Sequence, residues 1–227
     1  MSSTASRVPV KICGVTRSED VDVCALAGAT WIGLNLWPGS KRYLSVEAAR
    51  TLAERAHAAA RPPSHPPMAV VVLVVDAGVQ QAAEMVVAVG ADVIQLHGDE
   101  SPEACAALRS LLPRGVQLWK ALSLAGPEDA AADALSRWPV DALLLDAPSP
   151  GRGGSGVPID LLLAKAAIAN ARVPVVLAGG LRAQTVGDAI AACRPWAVDV
   201  ASGVELRPGI KDADQVAAFV AQAFVLA

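Results

Sequence analysis

Short apolar runs rich in Val, Ile and Leu alternate along this chain with longer, alanine-rich stretches whose apolar positions recur at helical spacing. Such alternation is the pattern of repeated βα units around a parallel sheet. Strands are predicted at 8–13, 31–36, 69–75, 93–96, 117–121, 142–146, 174–178 and 197–200, and helices at 18–27, 46–60, 79–89, 102–112, 128–135, 159–169, 183–193 and 212–225. Start signals support several helices: Ser45 shortly before Glu47, Ser101 followed by Pro102 and Glu103, and Asp160 at the sixth. Gly28 and Gly90 each follow a periodic stretch and precede a strand, as C′ glycines do. Eight strands with eight following helices close as an α/β fold of the (β/α)8 TIM barrel type, since an open doubly wound sheet more often stops at five or six strands. Residues 1–227 are expected to form one such barrel domain.

The segment Arg61-Pro62-Pro63-Ser64-His65-Pro66-Pro67 interrupts the pattern. Prolines cannot donate to a ladder or continue a helix, so this is a connection on the N-terminal side of the barrel, and neither His57 nor His65 is given a function. A formal charge of -3, with lysines and arginines scattered, argues against nucleic acid as a partner. Mean hydropathy is high at +0.42, yet no run reaches the roughly 20 apolar residues that span a bilayer, so no membrane partner is expected. The polar start Met1 to Arg7 lacks the apolar centre of a signal peptide, and a cytoplasmic location is the expectation. The four cysteines, Cys13, Cys24, Cys105 and Cys193, form no CxxC pair and have no histidine at zinc spacing, so neither a metal site nor a disulfide framework is expected. Three of them fall in helical patterns as small buried hydrophobes. Cys13 alone sits where a strand passes into a loop.

That position carries chemistry, because the C-terminal strand ends and the loops after them form the active face of such a barrel. Sorting polar residues by this rule selects Cys13, Thr16 and Arg17 after strand one, Asn35, Ser40, Lys41, Arg42 and Tyr43 after strand two, His97 after strand four and Asp146 after strand six. A thiol and a carboxyl on separate strand ends suit paired acid-base work, with Cys13 the candidate base. Gly179-Gly180 after strand seven and Ser202-Gly203 after strand eight are the phosphate signal: glycine admits close backbone approach, and amides at a turn or helix start bind anions. The glycine-rich loop at 151–156 is a candidate cover for a ligand. Lys11 lies two residues before Cys13, so both side chains share one side of the sheet. A lysine inside a barrel needs a partner, and Asp199 on the neighbouring strand eight is the expected one; a separation beyond about 6 Å would contradict this pairing.

In order along the chain, Lys11-Ile12-Cys13-Gly14-Val15-Thr16-Arg17, Ser40-Lys41-Arg42-Tyr43, Gln95-Leu96-His97-Gly98, Leu145-Asp146 with Gly153-Gly154-Ser155-Gly156, Ala178-Gly179-Gly180-Leu181 and Asp199-Val200-Ala201-Ser202-Gly203-Val204-Glu205 resemble phosphoribosylanthranilate isomerase. The resemblance covers nearly the whole chain. It implies a cofactor-free isomerase of tryptophan biosynthesis that performs an Amadori rearrangement on a small phosphorylated substrate. It further implies that Asp146 is the acid that opens the sugar ring and Cys13 the base that removes the proton on sugar C2. Arg42 would hold the anthranilate carboxylate, and Gly154, Ser155, Gly156, Gly179, Gly180, Ser202 and Gly203 the rest of the substrate. Lys11, His97 and Asp199 would support the site, His97 by bracing a loop, with Tyr43 as packing.

A carboxyl ordinarily ionises near about 4 and a thiol near about 8.5, so these roles require the acid to be raised and the thiol lowered. Strand three departs from the family by ending in Val74-Val75-Asp76 where Phe-Val-Asn is expected, and it follows the proline-rich insertion. Two other readings compete. One is indole-glycerol phosphate synthase, but its chemistry asks for a strand-end lysine with glutamates, and Cys13 occupies the strand-one position. The other is a binding barrel without turnover, which the presence of Cys13, Asp146 and Arg42 together disfavours. Monomer and homodimer are both compatible with the sequence.

Overall fold

The structure, a computed structural model, describes residues 6–62, 65–148 and 156–225. Eight parallel strands close into a barrel in chain order: β1 (Val10–Cys13), β2 (Trp31–Asn35), β3 (Ala69–Val74), β4 (Val93–Leu96), β5 (Gln117–Ser123), β6 (Ala142–Asp146), β7 (Val175–Leu177) and β8 (Ala197–Val200). Closure is made by β1 pairing with β8, which sets Lys11 opposite Asp199. Around them lie α1 (Ser18–Ala27), α2 (Val46–Ala58), α3 (Val79–Val89), α4 (Pro102–Leu111), α5 (Ala132–Ser136), α6 (Leu161–Asn170), α7 (Ala183–Cys193) and α8 (Ala213–Gln222).

The expected boundary signals act as read. Ser45 and Ser101 accept from the amides of Ala48 and Ala104, Asp160 caps α6, and Gly28 and Gly90 end α1 and α3 in the left-handed conformation. Most boundaries differ by one or more residues, and three of the differences have identifiable reasons. Strand one begins at Val10 because Pro9 offers no amide to the ladder. The fifth helix begins at Ala132 and not Glu128, since the carboxylate of Asp129 accepts from the amides of Ala125 and Gly126 and holds that segment as a turn. The eighth stops at Gln222, after which Phe224–Val225 runs as a short strand against Ser6–Arg7. No described helix is long and apolar enough to cross a membrane.

Two apolar layers result. One lies between barrel and helices, built from the outward side chains of the strands and the inner faces of the helices, and holds Cys24, Cys105 and Cys193. The other fills the barrel itself with Trp31, Val71, Val93, Trp119, Leu144, Val176 and small neighbours. Trp119 meets Trp31 and Trp196 edge to face at centroid distances of 5.3 and 5.9 Å, a favoured geometry for aromatic quadrupoles, and Trp31 and Trp196 are tilted against each other at 5.3 Å. This filled centre forces any ligand to the strand ends. Just after β3, Asp76 adopts φ 50°, a left-handed conformation open to Asp and Asn, and its Oδ1 accepts from the Asp99 amide. The loops after β3 and β4 are tied together there.

Candidate active site

β1 ends with Cys13 buried at 8% exposure, and its neighbour in register on β2 is Gly33. The Gly33 carbonyl accepts from both Gly14 and Val15 amides, at 2.8 and 3.0 Å, fixing the turn that leaves β1. A Cβ on Gly33 would stand 2.9 Å from Cys13 Sγ and 3.1 Å from Lys11 Nζ. The absence of a side chain at residue 33 is therefore what lets thiol and ammonium share one space. A strand-interior glycine is a signal for such an approach, and sequence reasoning passed it over.

Lys11 Nζ donates to Asp199 Oδ1 at 2.8 Å, well inside the expected limit. Burial alone would drive this ammonium toward its neutral form, but Asp199 and Cys13 together outweigh it and hold the lysine well above its ordinary range. Its ammonium form is the one these neighbours favour.

Asp146, at the end of β6, is pushed up to about 6, first by burial and then by Asp199, against the Ala147 amide and Lys11. Its Oδ1 accepts from the Ala147 amide at 2.8 Å. His97 Nε2 stands 3.7 Å from Asp146 Oδ2. At 2.8 Å, the Gln95 side-chain amide meets His97 Nδ1, so Gln95 orients the ring that faces the acid. Gln95 is buried inside β4 and was not singled out by its sequence context.

Gly156, Gly179, Gly180, Ser202 and Gly203 line one cleft together with Asp146 and Asp199. The expected phosphate residues thus converge next to the acid, while Gly154 and Ser155 lie outside the described residues. After β8 a short 3-10 turn at Ser202–Val204 leads into a hairpin of Glu205–Arg207 and Ile210–Lys211, an element the apolar pattern did not reveal.

Arg42 crosses the end of β1. Gly14, at φ +74°, has no Cβ to oppose it; one placed there would lie 2.1 Å from Arg42 Cδ. Nε and Nη2 of Arg42 both donate to Glu205, at 2.8 and 2.6 Å. Glu205 also accepts from Lys211 Nζ at 2.8 Å. Burial would raise the Glu205 carboxyl, but the Arg42 hydrogen bonds and Lys211 hold it below its ordinary value. The Lys211 ammonium donates as well to the carbonyls of Cys13 and Ala201 and so ties β1 to β8. Lys211 carried no visible signal beyond its place after the Gly209 turn. Tyr43, expected as packing, is 47% exposed and lines a groove with Trp37, Val74 and Met85, because the loop after β2 stands out from the barrel. Among the described residues no cluster of His, Cys, Asp and Glu has metal-binding geometry.

Residues 10–222 match the family model for N-(5'phosphoribosyl)anthranilate (PRA) isomerase. The chain is 45% identical over 216 residues to the N-(5'-phosphoribosyl)anthranilate isomerase of Myxococcus xanthus, covering 94% of each, and 41% identical over 221 residues to that of Bordetella petrii, again covering 94% of each. Among solved structures it superposes on phosphoribosyl anthranilate isomerase from Thermus thermophilus with a TM-score of 0.79 and 35% identity, covering 94% of this chain and 97% of that one. A further isomerase structure, in complex with reduced 1-(o-carboxyphenylamino)-1-deoxyribulose 5-phosphate, matches with a TM-score of 0.78 and 32% identity over 95% of this chain and 98% of that one. With family model, relatives and barrel in agreement over almost its full length, this chain belongs to the phosphoribosylanthranilate isomerase family.

Proposed function

We propose that the chain converts N-(5-phosphoribosyl)anthranilate to 1-(2-carboxyphenylamino)-1-deoxyribulose 5-phosphate in tryptophan biosynthesis, with Asp146 as general acid and Cys13 as general base. The observation that carries this reading is the Asp146 carboxyl, raised to about 6 beside a glycine-lined cleft. An acid at that value keeps about a tenth of its molecules protonated at pH 7, far more than an ordinary carboxyl does, and still gives up its proton readily. The ligand named for the related structure has an aromatic carboxylate at one end and a phosphate at the other. Arg42 and the Gly179, Gly180, Ser202 and Gly203 cleft offer matching recognition for those two ends.

In the first step the anilino nitrogen pushes its lone pair toward C1, the C1–O bond of the furanose breaks, and Asp146 delivers its proton to the departing ring oxygen. An iminium results, whose charge acidifies the C2 proton. Cys13 Sγ takes that proton, and the C2–H electron pair forms the C1–C2 double bond of an enolamine. Loss of the enol proton and protonation at C1 give the ketone, and passage of the proton held by Cys13 back to Asp146 through solvent restores both groups, so protons balance over the cycle. Lys11 sets a cation in the same space as Cys13 Sγ, over Gly33, while Asp199 keeps the lysine in place. His97, oriented by Gln95, borders the acid. Mixing the purified chain with freshly generated phosphoribosylanthranilate and following loss of its anthranilate-type fluorescence tests the reaction. A decay no faster than in buffer contradicts it.

Gly33→Ala is expected to lower kcat by about 10²-fold with little change in KM, since the new methyl must displace Sγ or Nζ, and misplacement by about 1 Å costs that much. Alkylation of Cys13 by iodoacetamide is expected to slow in parallel. A kcat within about twofold of the parent would show that Gly33 does not set the thiol's position.

A further inference from the structure

We propose that Glu205 is a positioning residue that aims Arg42 at the carboxylate of the ligand, and that this carboxylate supplies the anion lacking from a buried trio of Arg42, Glu205 and Lys211. The inference rests on the isomerase reading above. Side-chain exposure is 12% for Arg42, 3% for Glu205 and 0% for Lys211. Within the trio two cations therefore share one carboxylate where little water reaches them; the buried Asp20 carboxylate, on the Lys211 amide, is already paired with Arg17. A cation that must share its only carboxylate in such a place is costly, and a ligand carboxylate removes that cost on arrival.

Geometry says where the carboxylate goes. Arg42 spends its side edge on Glu205, with Nε on Oε1 and Nη2 on Oε2. Glu205 Oε1 is committed further, accepting from Lys211 Nζ and from the Gly209 amide at 3.2 Å. Nη1 has no protein acceptor among the described residues, so the outer edge of the guanidinium, Nη1 with the second hydrogen of Nη2, is the edge left for a ligand. With the side chain lying across Gly14, that edge is fixed before the ligand arrives, and little rotamer entropy remains to be lost on binding. Glu205 also follows directly on the Ser202–Val204 turn of the phosphate cleft, so one segment places both recognition ends. The opposite arrangement, in which Glu205 mimics the ligand's carboxylate and is displaced by it, predicts the reverse effect of weakening Glu205.

The test compares two ligands on the full chain by calorimetry: reduced 1-(2-carboxyphenylamino)-1-deoxyribulose 5-phosphate and its phenylamino analogue without the carboxylate. The quantity read is the ratio of their dissociation constants, which does not depend on the fraction of active protein. Glu205→Gln is expected to cut the preference for the carboxylate ligand by about tenfold or more, leave the analogue's affinity within about twofold, and raise KM more than it lowers kcat. Arg42→Ala is expected to abolish the preference. Should Glu205→Gln fail to fold, Glu205→Gln with Lys211→Met removes one charge of each sign and carries the same expectation. An unchanged preference in Glu205→Gln while Arg42→Ala loses it, or a tighter grip on the carboxylate ligand, overturns the positioning role. A preference that survives Arg42→Ala overturns it too, by placing the carboxylate elsewhere. Absence of turnover in the parent protein is a separate result, and it removes the isomerase reading itself.

Discussion

Cys13→Ala is expected to lower kcat/KM by about 10³-fold, within the roughly 10² to 10⁴ range of a positioned general base, while phosphate binding and folding persist. The loss should fall on kcat. Among the described residues Sγ makes no hydrogen bond to the phosphate cleft, and the backbone that holds it is fixed independently by the Gly33 carbonyl and by Lys211. Removing a small buried thiol costs little packing, so the melting temperature should stay within a few degrees of the parent. Cys13→Ser tests the chemistry separately from the shape. A hydroxyl fits the same space but is a far poorer base at neutral pH, so it should not rescue turnover. Lys11→Met, which keeps much of the volume and removes the charge, should slow both turnover and alkylation of Cys13. Steady-state kinetics of the three variants, with circular dichroism as a check on folding, measure these outcomes.

Asp146→Asn has an effect on activity and the opposite effect on stability. Turnover should drop by about 10² to 10⁴-fold, because an amide cannot deliver the proton that ring opening needs. Stability follows from linkage. The folded carboxyl titrates at about 6 against an ordinary value of 3.8, so folding favours its protonated form. That contribution is fully present below about pH 4 and is lost as pH rises through about 6. Over two pKa units it amounts to at most about 3 kcal/mol, reduced by the partial exposure of the group. Asparagine never ionises, and its Oδ1 can still accept the Ala147 amide. The variant should therefore melt several degrees above the parent at pH 7 to 8 and with it below pH 4. Thermal unfolding followed across this pH range decides the matter, and equal melting temperatures at pH 8 would contradict a raised carboxyl.

Much of this was legible in the chain. The βα alternation marked each of the eight barrel strands, because every strand is buried on both sides and reads as a short apolar run. Strand-end position then put Cys13, Arg42 and Asp146 on a short list of polar residues, from which the family resemblance singled them out. Lys11 and Asp199 followed from side-chain alternation and from closure of the ring, two rules that need no coordinates. What stayed hidden depends on distances between segments remote in sequence. Gly33 looks like a weak spot in a strand until Sγ and Nζ are seen to need its missing Cβ. Glu205 and Lys211 look like charges of a solvated loop until the hairpin folds them beneath Arg42. Gln95 reads as an inward polar residue with no partner until His97 is found against it. Local pattern names the strand ends; only the closed barrel shows which charges are shared.

The division of labour between Asp146 and Cys13 is tested most directly with substrate deuterated at sugar C2, by measuring the isotope effect on turnover in both variants. If Asp146 opens the ring and Cys13 removes the C2 proton, Cys13→Ala makes C2–H cleavage limiting and shows a primary effect well above unity. Asp146→Asn makes ring opening limiting and brings the effect close to unity. A full effect in Asp146→Asn together with none in Cys13→Ala would contradict the assignment.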